Sequence, residues 1–122
     1  MGKENIGLVG PGRMGYAMLK HMINKGYDVT VTDISAEMVK RATDAGALSA
    51  DSPGALGNVS DFVIIAVGFD DEALDVTLGK GGLVETMKPG SVIAVSSTVA
   101  PDTVQKIAEE AAKKKIGVLD AP

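Results

Sequence analysis

The run Ile6-Gly7-Leu8-Val9-Gly10-Pro11-Gly12-Arg13-Met14-Gly15 constrains this chain more than any other stretch. A short apolar strand enters a glycine turn, and a helix opens on the far side. Gly10 permits the tight turn, Gly12 lets backbone approach a ligand closely, and Gly15 lets the helix pack against the strand. A helix start placed this way offers unpaired N–H groups and the positive end of a dipole to a pyrophosphate. The G-x-G-x-x-G pattern alone is weak, because glycine turns occur in many loops. Its context makes it specific: Asp33 follows 18 residues after Gly15, at the end of a second β-branched segment.

Strand and helix signals then alternate to the last residue. Asn5–Val9 reads as a strand, and Met14, Ala17, Met18 and Met22 recur at helical spacing as the inner face of a helix ended by Gly26. Asp28–Thr32 is the second strand. Ser35 caps a helix whose inner face is Met38, Val39, Ala42 and Ala45, closed by Gly46. A short third strand is expected over Ala47–Ala50, and Ser52-Pro53 opens a brief helix with proline in its first turn. Phe62 to Val67 is unbroken apolar sequence, as for a central strand covered on both faces. Asp70–Leu78 reads as helix, Gly79-Lys80-Gly81-Gly82 breaks it, a short helical turn follows, and Lys88-Pro89-Gly90 turns the chain. Ser91–Val95 is the next strand, and Pro101 starts a helix with Val104, Ile107, Ala108 and Ala111 on one face. Gly117–Leu119 begins a last strand. This alternation predicts an α/β domain with a parallel sheet and right-handed crossovers, in Rossmann strand order 3-2-1-4-5-6.

Composition removes several other chemistries. The chain has 122 residues, enough for one domain with a core built from Val, Ile, Leu, Ala and Met, since it holds two Tyr, two Phe and no Trp. Without cysteine it has no disulfide, thiolate metal site or cysteine nucleophile, and a single histidine argues against a multi-histidine metal site or a Ser-His pair. The net charge is −4, and Lys113-Lys114-Lys115 reads as a helix end complementing the dipole rather than a nucleic-acid patch. Phe62–Val67, the longest apolar run, is far short of the ~20 residues that span a bilayer. Gly2-Lys3-Glu4-Asn5 leads straight into a strand with no signal-peptide pattern, so a soluble cytoplasmic protein is expected.

The candidate ligand residues each carry a plain structural alternative. Asp33, followed by Ile34, can accept the ribose hydroxyls of the adenosine half of NAD, or simply cap the next helix. In the first role it faces the extra phosphate of NADP, and one unit of repulsion at about 4 Å and an effective dielectric of ~20 is roughly 4 kcal/mol gross, which favours NAD. Arg13 folds over the pyrophosphate or points to solvent. Val67-Gly68-Phe69 follows the fourth strand: Gly68 permits close approach and Phe69 covers the adenosine or ribose, or the segment is a turn with a half-buried Phe. Ser96-Ser97-Thr98 bonds the nicotinamide half or caps the following helix. His21 reads as a helix-edge histidine, not a catalytic one.

Taken together, these segments resemble the N-terminal NAD(P)-binding domain of the β-hydroxyacid dehydrogenases, which include 3-hydroxyisobutyrate and 6-phosphogluconate dehydrogenases. Gly10-Pro11-Gly12-Arg13-Met14-Gly15 with Met18 is similar to the family's G-x-G-x-M-G-x-x-M. Lys88-Pro89-Gly90, Ser97-Thr98-Val99-Ala100-Pro101 and Asp120-Ala121-Pro122 are similar to its K-P-G, S-T-I-x-P and D-A-P segments. The resemblance implies that Gly10–Gly15 hold the pyrophosphate, Asp33 the adenosine ribose, and Thr98 the nicotinamide side. Val67 and Gly68 take the place of a Leu-Pro pair, and His21 stands where the family often has Asn. It further implies a small β-hydroxyacid or semialdehyde substrate, with a Ser-Gly-Gly segment, a catalytic lysine and a helical C-terminal domain all expected beyond Pro122. No catalytic residue is then expected in this chain, and the surface left by that domain, near the last strand, is expected to be apolar and to favour self-association. A stand-alone NAD(H) sensor module and a flavin or other nucleotide binder are the alternative readings.

Overall fold

Six segments rich in aliphatic and β-branched residues form one parallel sheet: β1 (Asn5–Val9), β2 (Asp28–Thr32), β3 (Leu48–Ser49), β4 (Phe62–Ile65), β5 (Val92–Val95) and β6 (Gly117–Asp120). Their order is β3-β2-β1-β4-β5-β6, as the alternation predicts. The structure, a computed structural model, describes residues 5–10, 13–33, 35–67, 69–96 and 99–120, with Arg13 and Met14 described by backbone alone. The connecting helices are α1 (Arg13–Asn24), α2 (Ala36–Asp44), α3 (Pro53–Val59), α4 (Asp70–Leu78), α5 (Leu83–Thr86) and α6 (Pro101–Ala112).

Local signals explain where these helices start and stop. Ser35 Oγ accepts from Met38 N at 3.3 Å and Ser52 Oγ from Ala55 N at 3.1 Å, so both serines cap as their positions require. Gly26 and Gly46 end α1 and α2 with φ of 90° and 113°, returning N–H groups to the last turn. At the end of α6 the same left-handed position is held by Lys115, at φ 61°. Lys88-Pro89-Gly90-Ser91 is a tight turn closed by Ser91 N on Lys88 O at 3.1 Å, with Gly90 at φ 92°.

Two cores sandwich the sheet. Leu56, Leu83, Val84 and Ala111, from α3, α5 and α6, close over Val63, Ile65, Ile93 and Val95. On the other face Leu19 and Ala42, from α1 and α2, close over Ile6, Leu8, Val29 and Val31. The phase of α1 differs from the stripe expected in the sequence. Gly15 and Leu19 are buried and Met22 and Ile23 pack half-buried against the same core, so Met22 faces inward as expected, whereas Ala17 is exposed and Met18 is half-buried. Gly15 sets this phase. Because it must face the strand end, residues one and two turns later, Leu19 and Ile23, follow it inward.

Two strands are shorter than their apolar runs. β4 stops at Ile65, since Ala66 and Val67 leave the sheet at its carboxyl edge. It is also covered less evenly than expected: Val63 and Ile65 are buried, but Phe62 and Ile64, facing the α1 side, are only half-buried. β3 holds only Leu48 and Ser49, because as an edge strand it pairs with β2 alone. Register aligns Leu8, Ile64, Ala94 and Leu119 across the sheet, and this row runs out from under α1 to Leu119, which is 53% exposed. An apolar hollow of about 400 Å³ lined by Ala17, Met18, His21, Met22 and Ile64 lies along it. Near the last strand itself the exposed apolar side chain of this row is Leu119, since its neighbour Ala94 is buried.

Candidate dinucleotide site

Val9 pairs with Thr32 and with Ile65, and Ile65 pairs with Val95. The next residues, Gly10, Asp33, Ala66 and Ser96, consequently stand in one row along the carboxyl edge. Backbone bonds hold the row level: Gly10 N donates to Thr32 O at 3.1 Å, Ala66 N to Val9 O at 2.8 Å and Ser96 N to Ile65 O at 2.9 Å. Successive crossovers leave in opposite directions between β1 and β4, which opens the crevice where ligands bind in sheets of this kind. From β2 to β5 the row spans three strand spacings, roughly 14 Å.

Glycine is required at both described ends of the turn. Gly10 has φ 85°, and a Cβ there would come within 2.6 Å of Ala66 O. A Cβ on Gly15 would lie 2.6 Å from Gly10 O, so the first turn of α1 sits directly against the end of β1. With no side chain at either position, the N–H groups that open α1 stay next to the crevice, where a phosphate is favoured. Backbone atoms of Arg13 and Met14 begin this helix.

Asp33 follows β2 directly and is half-buried. Its Oδ1 accepts from Ser35 N at 2.9 Å, while Ser35, not Asp33, caps α2. Helix capping belongs to its neighbour, and the Asp33 turn fixes the carboxylate at the strand end. Val67 is half-buried against the core below β4, and Phe69 is 72% exposed at the start of α4. An exposed aromatic at the rim is a flat surface available for stacking, and the half-buried Phe of the plain-turn alternative is not what the fold contains. Pro11, Gly12, Ile34, Gly68, Ser97 and Thr98 lie outside the described residues.

Other residues fall away from this edge. His21 is exposed in the last turn of α1. Lys113–Lys115 end α6 at the opposite edge of the sheet, just before β6 begins. Lys113 Nζ meets Glu110 at 2.9 Å, a hydrogen bond that raises its ammonium above the usual lysine range. Among the described residues no cluster of His, Asp or Glu could hold a metal ion, and no helix is long and apolar enough to cross a membrane.

One edge residue is not apparent from local sequence. Asp70, first in α4, places Oδ2 2.6 Å from Thr103 Oγ1 and 3.1 Å from Ala100 N at the start of α6. Accepting these two hydrogens, the Thr103 hydroxyl foremost, holds its carboxyl below the usual aspartate range. A partner 30 residues away leaves no periodic or motif signal.

A glycine-walled turn, a fixed acid beside it and an open row of strand ends define a dinucleotide-binding domain of the Rossmann class. The chain belongs to the family described as the NAD binding domain of 6-phosphogluconate dehydrogenase, whose model matches residues 5–122. It is 33% identical over 98% of its length to the uncharacterized oxidoreductase YkwC of Bacillus subtilis, covering 42% of that protein. It is 31% identical to the L-threonate dehydrogenase of Cupriavidus necator, over 98% of this chain and 40% of the relative. Among solved structures, 3-hydroxyisobutyrate dehydrogenase from Salmonella typhimurium superposes with a TM-score of 0.90 at 28% identity, over 98% of this chain and 42% of that one. The chain thus spans about two fifths of the length of these relatives.

Proposed function

We propose that this chain is the cofactor domain of an NAD-dependent dehydrogenase acting on a small β-hydroxyacid or its semialdehyde, in the manner of 3-hydroxyisobutyrate dehydrogenase. The observation that carries this reading is the Gly10–Gly15 turn standing level with Asp33 across two adjacent strands. Backbone N–H groups at the start of α1, from Gly12 to Gly15, hold the pyrophosphate, with the Arg13 side chain over it. Asp33 and the Ile34 backbone take the adenosine ribose, and Val67, Gly68 and Phe69 wall that half of the groove. Thr98 lies toward the nicotinamide.

When bound, the nicotinamide ring accepts or supplies the hydride. This chain's own residues bind and orient it, and none of them is assigned a proton-transfer role. NAD is preferred to NADP because the Asp33 carboxylate both accepts from ribose hydroxyls and repels a 2′-phosphate. Fluorescence titration of the 122-residue chain with NADH and NADPH tests this. Tighter binding of NADH supports the reading, equal or reversed affinities remove the role given to Asp33, and binding of neither removes the cofactor assignment.

A further inference from the structure

We propose that Asp70 is a positioning residue that ties the two walls of the cofactor groove together. The inference rests on the cofactor reading above and adds a residue to it. Segment 67–69 leads into α4, and segment 96–100 leads into α6. These loops leave neighbouring strands, β4 and β5, at the same edge. Asp70 sits at the junction of the first loop with its helix, and its Oδ2 takes both the Ala100 N–H at 3.1 Å and the Thr103 hydroxyl at 2.6 Å.

The second helix needs this acceptor. Its N-cap is Ala100, which makes no side-chain cap bond, and Pro101 after it has no N–H to offer. Most helices take their capping oxygen from their own N-cap residue. Here Asp70 of α4 instead takes the N–H of the N-cap residue itself and the Thr103 hydroxyl one turn in, which links the start of α6 to the start of α4. Both bonds are charge-assisted, because Asp70 is held in its ionised form. Because Ala100 follows the segment assigned to the nicotinamide side and Asp70 follows the segment assigned to the adenosine side, the bond couples the ends of those two segments.

A ligand that spans both walls should therefore depend on Asp70 more than one lacking the nicotinamide. The experiment compares NADH with ADP-ribose, each titrated calorimetrically into the wild-type chain and into Asp70→Ala, Asp70→Asn and Thr103→Val. Asp70→Ala should weaken NADH by about tenfold while changing ADP-ribose much less, as expected for losing charge-assisted bonds on one wall. Asp70→Asn, whose amide oxygen accepts the same two hydrogens, should recover most of the loss, and Thr103→Val should fall between. Circular dichroism checks that each variant is folded, and Thr103→Val supplies the comparison should Asp70→Ala not fold. Equal weakening of both ligands, or of neither, would reduce Asp70 to a structural cap and overturn the proposal. Failure of the wild type to bind either ligand would instead remove the cofactor reading, and the proposal with it.

Discussion

The Cβ that Gly15 lacks would lie 2.6 Å from the carbonyl oxygen of Gly10. That oxygen belongs to backbone at the end of a central strand and has little room to give way. Gly15→Ala should therefore push α1 off the sheet, at a cost of about 1–3 kcal/mol, as for other overpacked sites. Urea denaturation should show the lower midpoint, and NADH affinity should fall together with stability because the same helix start faces the crevice. An unchanged midpoint would mean that α1 tolerates a shift here.

Asp33→Asn keeps an acceptor for Ser35 N, now 2.9 Å from Oδ1, but removes the charge. The ratio of NADPH to NADH affinity should rise by about tenfold or more, a heavily screened fraction of the gross repulsion. Paired fluorescence titrations measure that ratio. No change would show that the carboxylate does not face the ribose.

Asp70 also gives the fold a pH signature. Its folded pKa is depressed by the Thr103 and Ala100 hydrogen bonds, so the stabilisation is fully present above the ordinary value of 3.8 and is lost as pH falls through the lower folded value. Asp71 and Glu72 in the first turn of α4 and Asp102 in that of α6 are acidic as well. Thermal melts between neutral and strongly acidic pH should show a shallower acid loss for Asp70→Ala than for the wild type.

Lys115 occupies at φ 61° the position that glycine holds after α1 and α2. A side chain in left-handed backbone is strained, whereas glycine there costs only unfolded-state entropy. Lys115→Gly should stabilise the domain by about 0.5–1 kcal/mol net. A higher urea midpoint at unchanged slope would report it.

Leu119 is 53% exposed and continues the apolar row of Leu8, Ile64 and Ala94. Leu8 and Ala94 are themselves buried, so the apolar surface open to a second copy is Leu119 on the edge strand β6. Sedimentation of the chain should show concentration-dependent self-association that Leu119→Lys reduces. Monomer behaviour at every concentration would count against it.

Much of this architecture is legible along the chain. β1 and β2 fall on Asn5–Val9 and Asp28–Thr32 as expected, and Ser35, Ser52, Gly26 and Gly46 end or open helices by chemistry confined to one turn. Strand order follows too, since alternating elements leave few right-handed arrangements. Gly10, Gly15 and Asp33 can be picked out because their geometric needs are local: a positive φ, an absent Cβ, a carboxylate after a strand.

Tertiary structure decided the rest, wherever an outcome depends on two distant segments meeting. Helical spacing offered Ala17 and Met18 along with Met22 as the inner face of α1, but with Gly15 against Gly10 it is Leu19 that is buried and Met22 and Ile23 that pack beside it, while Ala17 is exposed. An apolar run cannot say which face of β4 will be covered less fully, and that depends on where the crossovers lie. The Asp70 link to Ala100 and Thr103 belongs wholly to this class, because a carboxylate finds its partner 30 residues away only after two strands have paired. Sequence by itself determines what each residue can do over one turn or one strand. Packing determines which of those capacities are brought within hydrogen-bond range, because steric fit and burial act between elements and not along them.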